Sequence, residues 1–300
     1  MRTFFELTKR NVKAFFKDKG LFFSSLITPL ILLILYATFL AKIYRESFTG
    51  TEGFAVPDKI MNGLVAGELV SSLLAVICVT VAFCSNLLMI QDITNGSRKD
   101  LLVSPVKSSV LSVSYFAATF ASTIIVTFTA MAACMIYLAI QGWYLSVSDV
   151  FLLISDVILL TLFGTALSSF VNAFLTTSGQ ASAVGTIVSA GYGFLCGAYM
   201  PIASFDEGLR NFIMFLPGTY GTALIRNHSI SGAVNELGAL IPDEATKVEV
   251  IKKVRDGIDC NVYFFGNEVE TWVMYLVLVG AILLFLAAYI LFAKLLKKKK

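Results

Sequence analysis

The sequence predicts an all-α integral membrane protein: six transmembrane helices, an N-terminal amphipathic helix in the membrane interface, and a re-entrant or extracellular helical segment before the last span. Three observations carry this reading. Of the 300 residues, 57% are hydrophobic and 14% charged, with a mean hydropathy of +0.81, whereas soluble domains carry about 25% charged residues. Charges avoid the long apolar runs and cluster between them, as expected when an ion at a bilayer centre costs roughly 2.5–3.5 kcal/mol to insert. Six runs, near 21–41, 64–90, 110–140, 150–175, 181–200 and 272–293, suffice to cross about 30 Å of hydrocarbon, which takes about 20 helical residues. A β-barrel would instead alternate in hydropathy over strands of about ten residues. The net charge of +3 is spread over loops and tails, which argues against a basic face for nucleic acid.

Residues 1–20 lack the short apolar core and small-residue site of a cleavable signal peptide. They are amphipathic instead. Phe4, Phe5, Val12, Phe15 and Phe16 recur at helical spacing, with Arg2, Lys9, Arg10, Lys13 and Lys17 largely between them. This is the pattern of a helix in the headgroup layer, its phenylalanines dipping into acyl chains while its lysines meet anionic lipid. Residues 21–200 hold spans one to five, the third long enough to extend into water.

Orientation follows from Lys and Arg, which cytoplasmic loops retain. Six precede the first span (Arg2, Lys9, Arg10, Lys13, Lys17, Lys19), Arg98, Lys99 and Lys107 follow the second, and Lys294, Lys297, Lys298, Lys299 and Lys300 form a basic tail over 294–300. With six spans, both termini and the loop after span two are expected in the cytosol. The loop at 141–149 has no Lys or Arg and residues 201–271 hold more acids than bases, which puts both outside. So long a loop rarely lacks structure. We expect an interfacial or re-entrant helix pair over 205–232, interrupted at Pro217-Gly218. From Pro242 to Arg255 a soluble helix follows, with Val248, Ile251 and Val254 set against Glu249, Lys252 and Lys253. Span six, 272–293, completes one transmembrane domain over 1–300.

Catalysis finds little support. The single histidine, His228, has no second His or Cys at metal-ligand spacing and reads as an ordinary loop residue. No Gly precedes a Lys, so a phosphate-binding Gly-Lys-Ser/Thr loop is missing and any nucleotide energy must come from another chain. Cys78, Cys84 and Cys134 fall in apolar spans and read as small hydrophobes; Cys196 and Cys260 both fall on the outer side, where a disulfide is open to them. Ala181, Gly185, Ser189, Gly193 and Gly197 recur every four residues, a small-residue ridge along span five that lets another backbone approach, within the chain, at a subunit interface or along a mobile transport seam. Among ionisable residues Asp156 is singled out as lying inside a span, about two turns from its outer end, where it touches substrate or, the preferred reading, meets penetrating water.

The island after span two, Gly96-Ser97-Arg98-Lys99-Asp100-Leu101-Leu102-Val103-Ser104-Pro105-Val106, resembles the "acidic-x-x-x-Gly-Thr-x-x-x-Leu-Leu-x-x-Pro" segment of ABC-2 type permeases, the membrane subunits of a large exporter class. Gly197-Ala198-Tyr199-Met200-Pro201 at the end of span five, then Phe215-Leu216-Pro217-Gly218-Thr219-Tyr220 and Leu224-Ile225-Arg226, look like that family's outer re-entrant segment, here marked by Pro201, Pro217, Tyr220 and Arg226. The resemblance covers nearly the whole chain. It implies that the island is a coupling helix docking into a groove on a separate ATPase subunit. Arg98, Lys99 and Asp100 would offer charge, Leu101 and Leu102 an apolar anchor, Gly96 the turn and Pro105 the stop. One departure is Gln91-Asp92, where many members have Glu-Arg, which leaves open what Asp92 contacts.

The expected function is the permease half of an ATP-driven exporter. Two copies, or this chain with a related one, would form the path, and two ATPase chains would bind ATP and Mg; no cofactor is expected in this chain. The resemblance implies that spans one, two and five line the path and meet across the dimer in the cell membrane. An apolar or amphiphilic cargo, such as a drug, antimicrobial peptide, lipid or lipid-linked glycan, suits a path of Phe, Leu, Tyr and Gly. The rivals are a secondary transporter, which should show inverted repeats and buried ion ligands, and a non-transporting sensor or scaffold.

Overall fold

The computed structural model describes residues 2–49, 56–103 and 106–298, and 84% of the chain is helical. The first helix, α1 (Arg2–Lys17), ends just before Asp18, whose carboxylate accepts the Leu21 N–H at 3.1 Å and caps α2 (Lys19–Leu35). A π turn at Tyr36–Leu40 carries α2 into α3 (Ala41–Thr49). Then comes α4 (Asp58–Thr94), whose 37 residues extend about 55 Å at 1.5 Å per residue.

Apolar on every side, α4 is the axis of the molecule. Within its most apolar stretch 94% is buried, because α2 and four later helices pack around it. These are α6 (Ser108–Gln141), reached through the short α5 (Ser97–Val103), then α7 (Val147–Asn172), α8 (Ser178–Leu195) and α10 (Pro217–Ala239). Capping boxes start α7 at Ser146 with Asp149 and α8 at Thr177 with Gln180. Short α9 (Glu207–Ile213) precedes α10, and α11 (Glu244–Gly257) follows it. An antiparallel pair, β1 (Tyr263–Phe264) and β2 (Asn267–Glu268), turns through Phe265-Gly266, both at positive φ, before α12 (Thr271–Lys298).

The bundle has two distinct ends. At one, α1 and α5 meet the last turns of α4, and Tyr289 of α12 donates to the Ser112 carbonyl at the start of α6, 3.1 Å away. At the other, α10 meets the first turns of α4, and α11 packs on α10 and α3. These are called the α5 end and the α11 end below.

Among the described residues five helical stretches, where six spans are expected, are long and apolar enough to cross a membrane: Lys19–Glu46, Asp58–Thr94, Ser108–Gln141, Val147–Asn172 and Thr271–Phe292. The run expected at 181–200 is present as α8, which rises beside α2 and α4. Its Gly, Ser, Thr and Gln dilute its apolarity, and residues 196–200 leave the helix in a turn. Phe15 also departs from expectation. It is fully buried in the core, with Leu7 and Asn11 on the same inner face of α1, while Phe5 and Phe16 remain exposed. The 201–271 segment forms the expected helix pair, α9 and α10, and the further helix α11. On α11 the buried face is Val250 and Val254, whereas Val248 is exposed.

Candidate functional site

At the α5 end, Gly96 takes φ +80° and turns the chain from α4 into α5, a conformation glycine adopts without the Cβ clash other residues meet. Its carbonyl accepts the Lys99 N–H at 2.8 Å to start the new helix. Arg98 is half-buried, Lys99 and Asp100 are exposed, and Val103 stands 88% exposed. Leu101 does not point outward: it packs on Leu7, Met89, Leu111 and Tyr115, joining α5 to α1, α4 and α6. The Leu102 side chain and Pro105 lie outside the described residues.

One turn above, Asp92 is buried and its carboxylate is fully used. Both terminal nitrogens of the Arg10 guanidinium donate to it, one of them 3.0 Å from Oδ1, and the Tyr115 hydroxyl donates to Oδ2 at 2.6 Å. Gln91 Nε2 donates to Asp18 at 3.3 Å. The Gln91-Asp92 departure therefore ties α1 to the end of α4 by a carboxylate on α4 and a cation on α1.

At the α11 end lies a second, deeper clasp, built on a residue the sequence reading overlooked. Glu68 of α4 is wholly buried, its Oε2 2.7 Å from Nε of Arg226, itself 1% exposed on α10. Arg226 also donates to Ser72 Oγ at 3.2 Å and to the Gly197 carbonyl at 3.0 Å, and lies 3.7 Å from Asp259. Asp259 Oδ2 accepts the Ile202 N–H at 2.7 Å; burial pushes its carboxyl up to about 6, against the pull of Arg226. Glu68 sits within the apolar run at 64–90, so an ionisable residue inside a span was the signal available.

The same clasp explains other expected residues. Gly197 is not on a helical ridge. It ends α8 at φ +75°, with the Ala198 and Tyr199 N–H groups both donating to the Gly193 carbonyl. Pro201 leads into a single 3-10 turn, Ile202–Ser204, and Pro217 starts α10 at its first position. Tyr220 donates to the Met214 carbonyl at 2.7 Å, bracing α10 on the end of α9. Arg255 donates to Asn227, which donates to the Cys260 carbonyl. Cys196 and Cys260 are buried and free, as are the other three cysteines.

The small-residue series divides by environment. Gly193 is buried against the Tyr199 ring of its own chain, where an added Cβ would collide. Ala181 is buried near the start of α8. Gly185 and Ser189 instead line an open groove of about 580 Å³ between α8 and α2, with Ile27, Ile31, Cys84 and Phe194. A Cβ on Gly185 would meet nothing within 4 Å.

His228 is on α10, not in a loop, and Asp156 does not face water. Asp156 Oδ2 lies 2.5 Å from His228 Nδ1, and the Tyr275 hydroxyl donates to Oδ1 at 2.6 Å. Spacing alone could not pair residues from α7, α10 and α12. Among the described residues no group of three His, Cys, Asp or Glu side chains could hold a metal ion.

Compared with known families, residues 2–228 match the model for the ABC-2 type transporter. No curated protein matches the chain.

Proposed function

The chain belongs to the ABC-2 type transporter family and is a multi-pass membrane permease of an ABC transporter, and from that premise we propose that it is the permease half of an exporter driven by a separate ATPase. The observation that carries this is α4. One uninterrupted buried helix runs from the Asp92 clasp, beside α5, to the Glu68 clasp, beside the re-entrant α10. A push on α5 is delivered to the opposite end of the molecule by a rod without a proline or a π turn.

The chemistry is divided accordingly. No Gly-Lys sequence exists to cradle a phosphate, so ATP and Mg belong to the partner. Lys99, Asp100 and Val103 form the face of α5 offered to it, while Leu101 holds α5 to the permease. The Lys and Arg of 1–20, of the α5 segment and of the tail support a cytosolic α5 end. Movement at the Glu68 clasp would displace α10 and α11 outside.

The α2–α8 groove supports an amphiphilic cargo. Its walls are mostly carbon, interrupted by the hydroxyls of Ser24, Thr28, Ser182, Thr186 and Ser189. Phe23 and Ile34, on the groove-lining helix α2, are exposed apolar residues, and a second permease copy or a related one would close the path there. A secondary transporter has less support, because the buried ions pair with one another.

Co-purification tests this reading. The tagged chain should bring down an ATPase, and Val103→Asp should reduce that recovery at least tenfold with no change in thermal melting of the permease. Leu101→Asp should lower the melting temperature as well. A wild-type chain that isolates without any ATPase sinks the proposal.

A further inference from the structure

We propose that a cavity behind α8 is a binding site for one alkyl chain of a membrane lipid, which braces α8 from the side opposite the α2–α8 groove. Two faces of α8 are turned to space. Gly185 and Ser189 line the groove shared with α2, while Ile187, Gly191 and Leu195, four residues apart and so in one row along the helix, line a second cavity of about 260 Å³. Phe163 of α7, Phe285 of α12 and Pro217, at the start of α10, form the facing wall. Of the 18 residues of α8 only Ala181 and Gly193 are buried, and an added Cβ on Gly191 would meet nothing within 4 Å. The helix is held mainly on α4, with room on both flanks.

The chemistry of the cavity selects an apolar occupant. Among the described residues no charged side chain lines it. Its hydroxyl and thiol groups already donate to carbonyls of this chain: Tyr192 to Gly218, Thr219 to Leu195 and Ile213, and Cys196 to Gly193. An apolar cavity of this kind stays dry, and one of about 150 Å³ suffices to take benzene. Lining atoms without a neighbour forfeit dispersion contacts, so an apolar group that can reach this wall is held by it.

Depth selects a lipid tail over a headgroup. The cavity opens between α8 and α12, where Ile187 is 70% exposed and Leu284, next to Phe285, 63%. The surface of α12 is continuous with the bilayer, since only 17% of its most apolar stretch is buried. Trp272, exposed in its first turn, is the residue type that marks a membrane boundary. From there to Phe285 the helix advances about 20 Å at 1.5 Å per residue, well inside a hydrocarbon core about 30 Å thick. At that level the bilayer supplies acyl chains alone. The site rests on the membrane placement of the chain and not on the exporter reading.

The test uses the full chain in nanodiscs of phosphatidylcholine, doped with a phosphatidylcholine that carries a diazirine at the end of one acyl chain. Irradiation is followed by mapping of the adducts by mass spectrometry. Leu283, 62% exposed on α12, should be labelled as a lipid-facing residue. Phe163, only 2% exposed and met by lipid through the cavity, should be labelled as well, whereas Leu153, buried on the same helix outside the cavity, should not. Gly191→Trp, which puts an indole into the space, should cut the Phe163 adduct at least tenfold and leave that at Leu283 unchanged; Gly191→Leu, a milder filling, should give a smaller loss. Removal of lipid by detergent should lower the melting temperature of wild type more than that of Gly191→Trp, whose own side chain takes the place of the alkyl chain. A wild type labelled at Leu283 and not at Phe163 overturns the proposal, as does a Phe163 adduct undiminished in both variants. Equal losses of melting temperature on lipid removal would overturn the bracing of α8. A Phe163 adduct in a chain that recruits no ATPase would leave the lipid site standing and remove the exporter reading.

Discussion

At the scale of single residues, the chain concentrates its polar chemistry in a few buried groups. Arg226 is the clearest case, since one guanidinium meets two carboxylates, a hydroxyl and the carbonyl that ends α8. A buried charge stripped of its partner is far worse than no pair at all, and such truncations cost about 3–5 kcal/mol. Arg226→Ala, which leaves Glu68 and Asp259 facing each other without a cation, should therefore lower thermal stability by that order in detergent, and Arg226→Ala with Glu68→Gln should recover part of it. If the single variant melts like wild type, the clasp does not hold the α11 end together. Sequence alone gave Arg226 through a motif and missed Glu68. Its place inside an apolar run marks Glu68 as a group that needs a partner, but nothing local names Arg226, far along the chain, as that partner.

At the scale of elements, the same residue types play different parts according to what a helix meets. Two glycines of α8 separate packing from access. Gly193 is pressed on Tyr199, so Gly193→Leu should be destabilising, by an amount in the range of about 1–3 kcal/mol typical of overpacking. Gly185 faces the open groove, so Gly185→Leu should leave melting unchanged and impair cargo movement. Equal melting for the two variants would contradict this division. At the other end α1 is tied to α4 through Arg10 and Asp92. Arg10→Asp and Asp92→Arg should each loosen that link, and the double exchange should restore more than half of the lost stability; additive losses would show that the pair does not couple. The four-residue spacing was legible in the sequence, but it reports only that side chains are small, not whether the space beside them holds a tyrosine or a groove.

At the scale of the whole molecule, α4 is the organising feature. Its length and apolarity belong to the sequence, as do the other apolar runs, the amphipathic start, the Gly96 turn and the helix pair before the last span. These properties are local: the length of an apolar run and the spacing along a helix depend on neighbours in the chain. The family followed from motifs in order, and the match over residues 2–228 bears it out. Tertiary structure alone decided which end of α4 is clasped by which residues, that Leu101 turns inward while Val103 stands out, that Phe15 leaves the interface for the core, and that Asp156 meets His228 and Tyr275. Each of these depends on groups distant in sequence competing for one buried volume, where a charge must find a partner and an apolar side chain a cavity. A single sequence fixes which groups need partners, and only packing decides which of them meet.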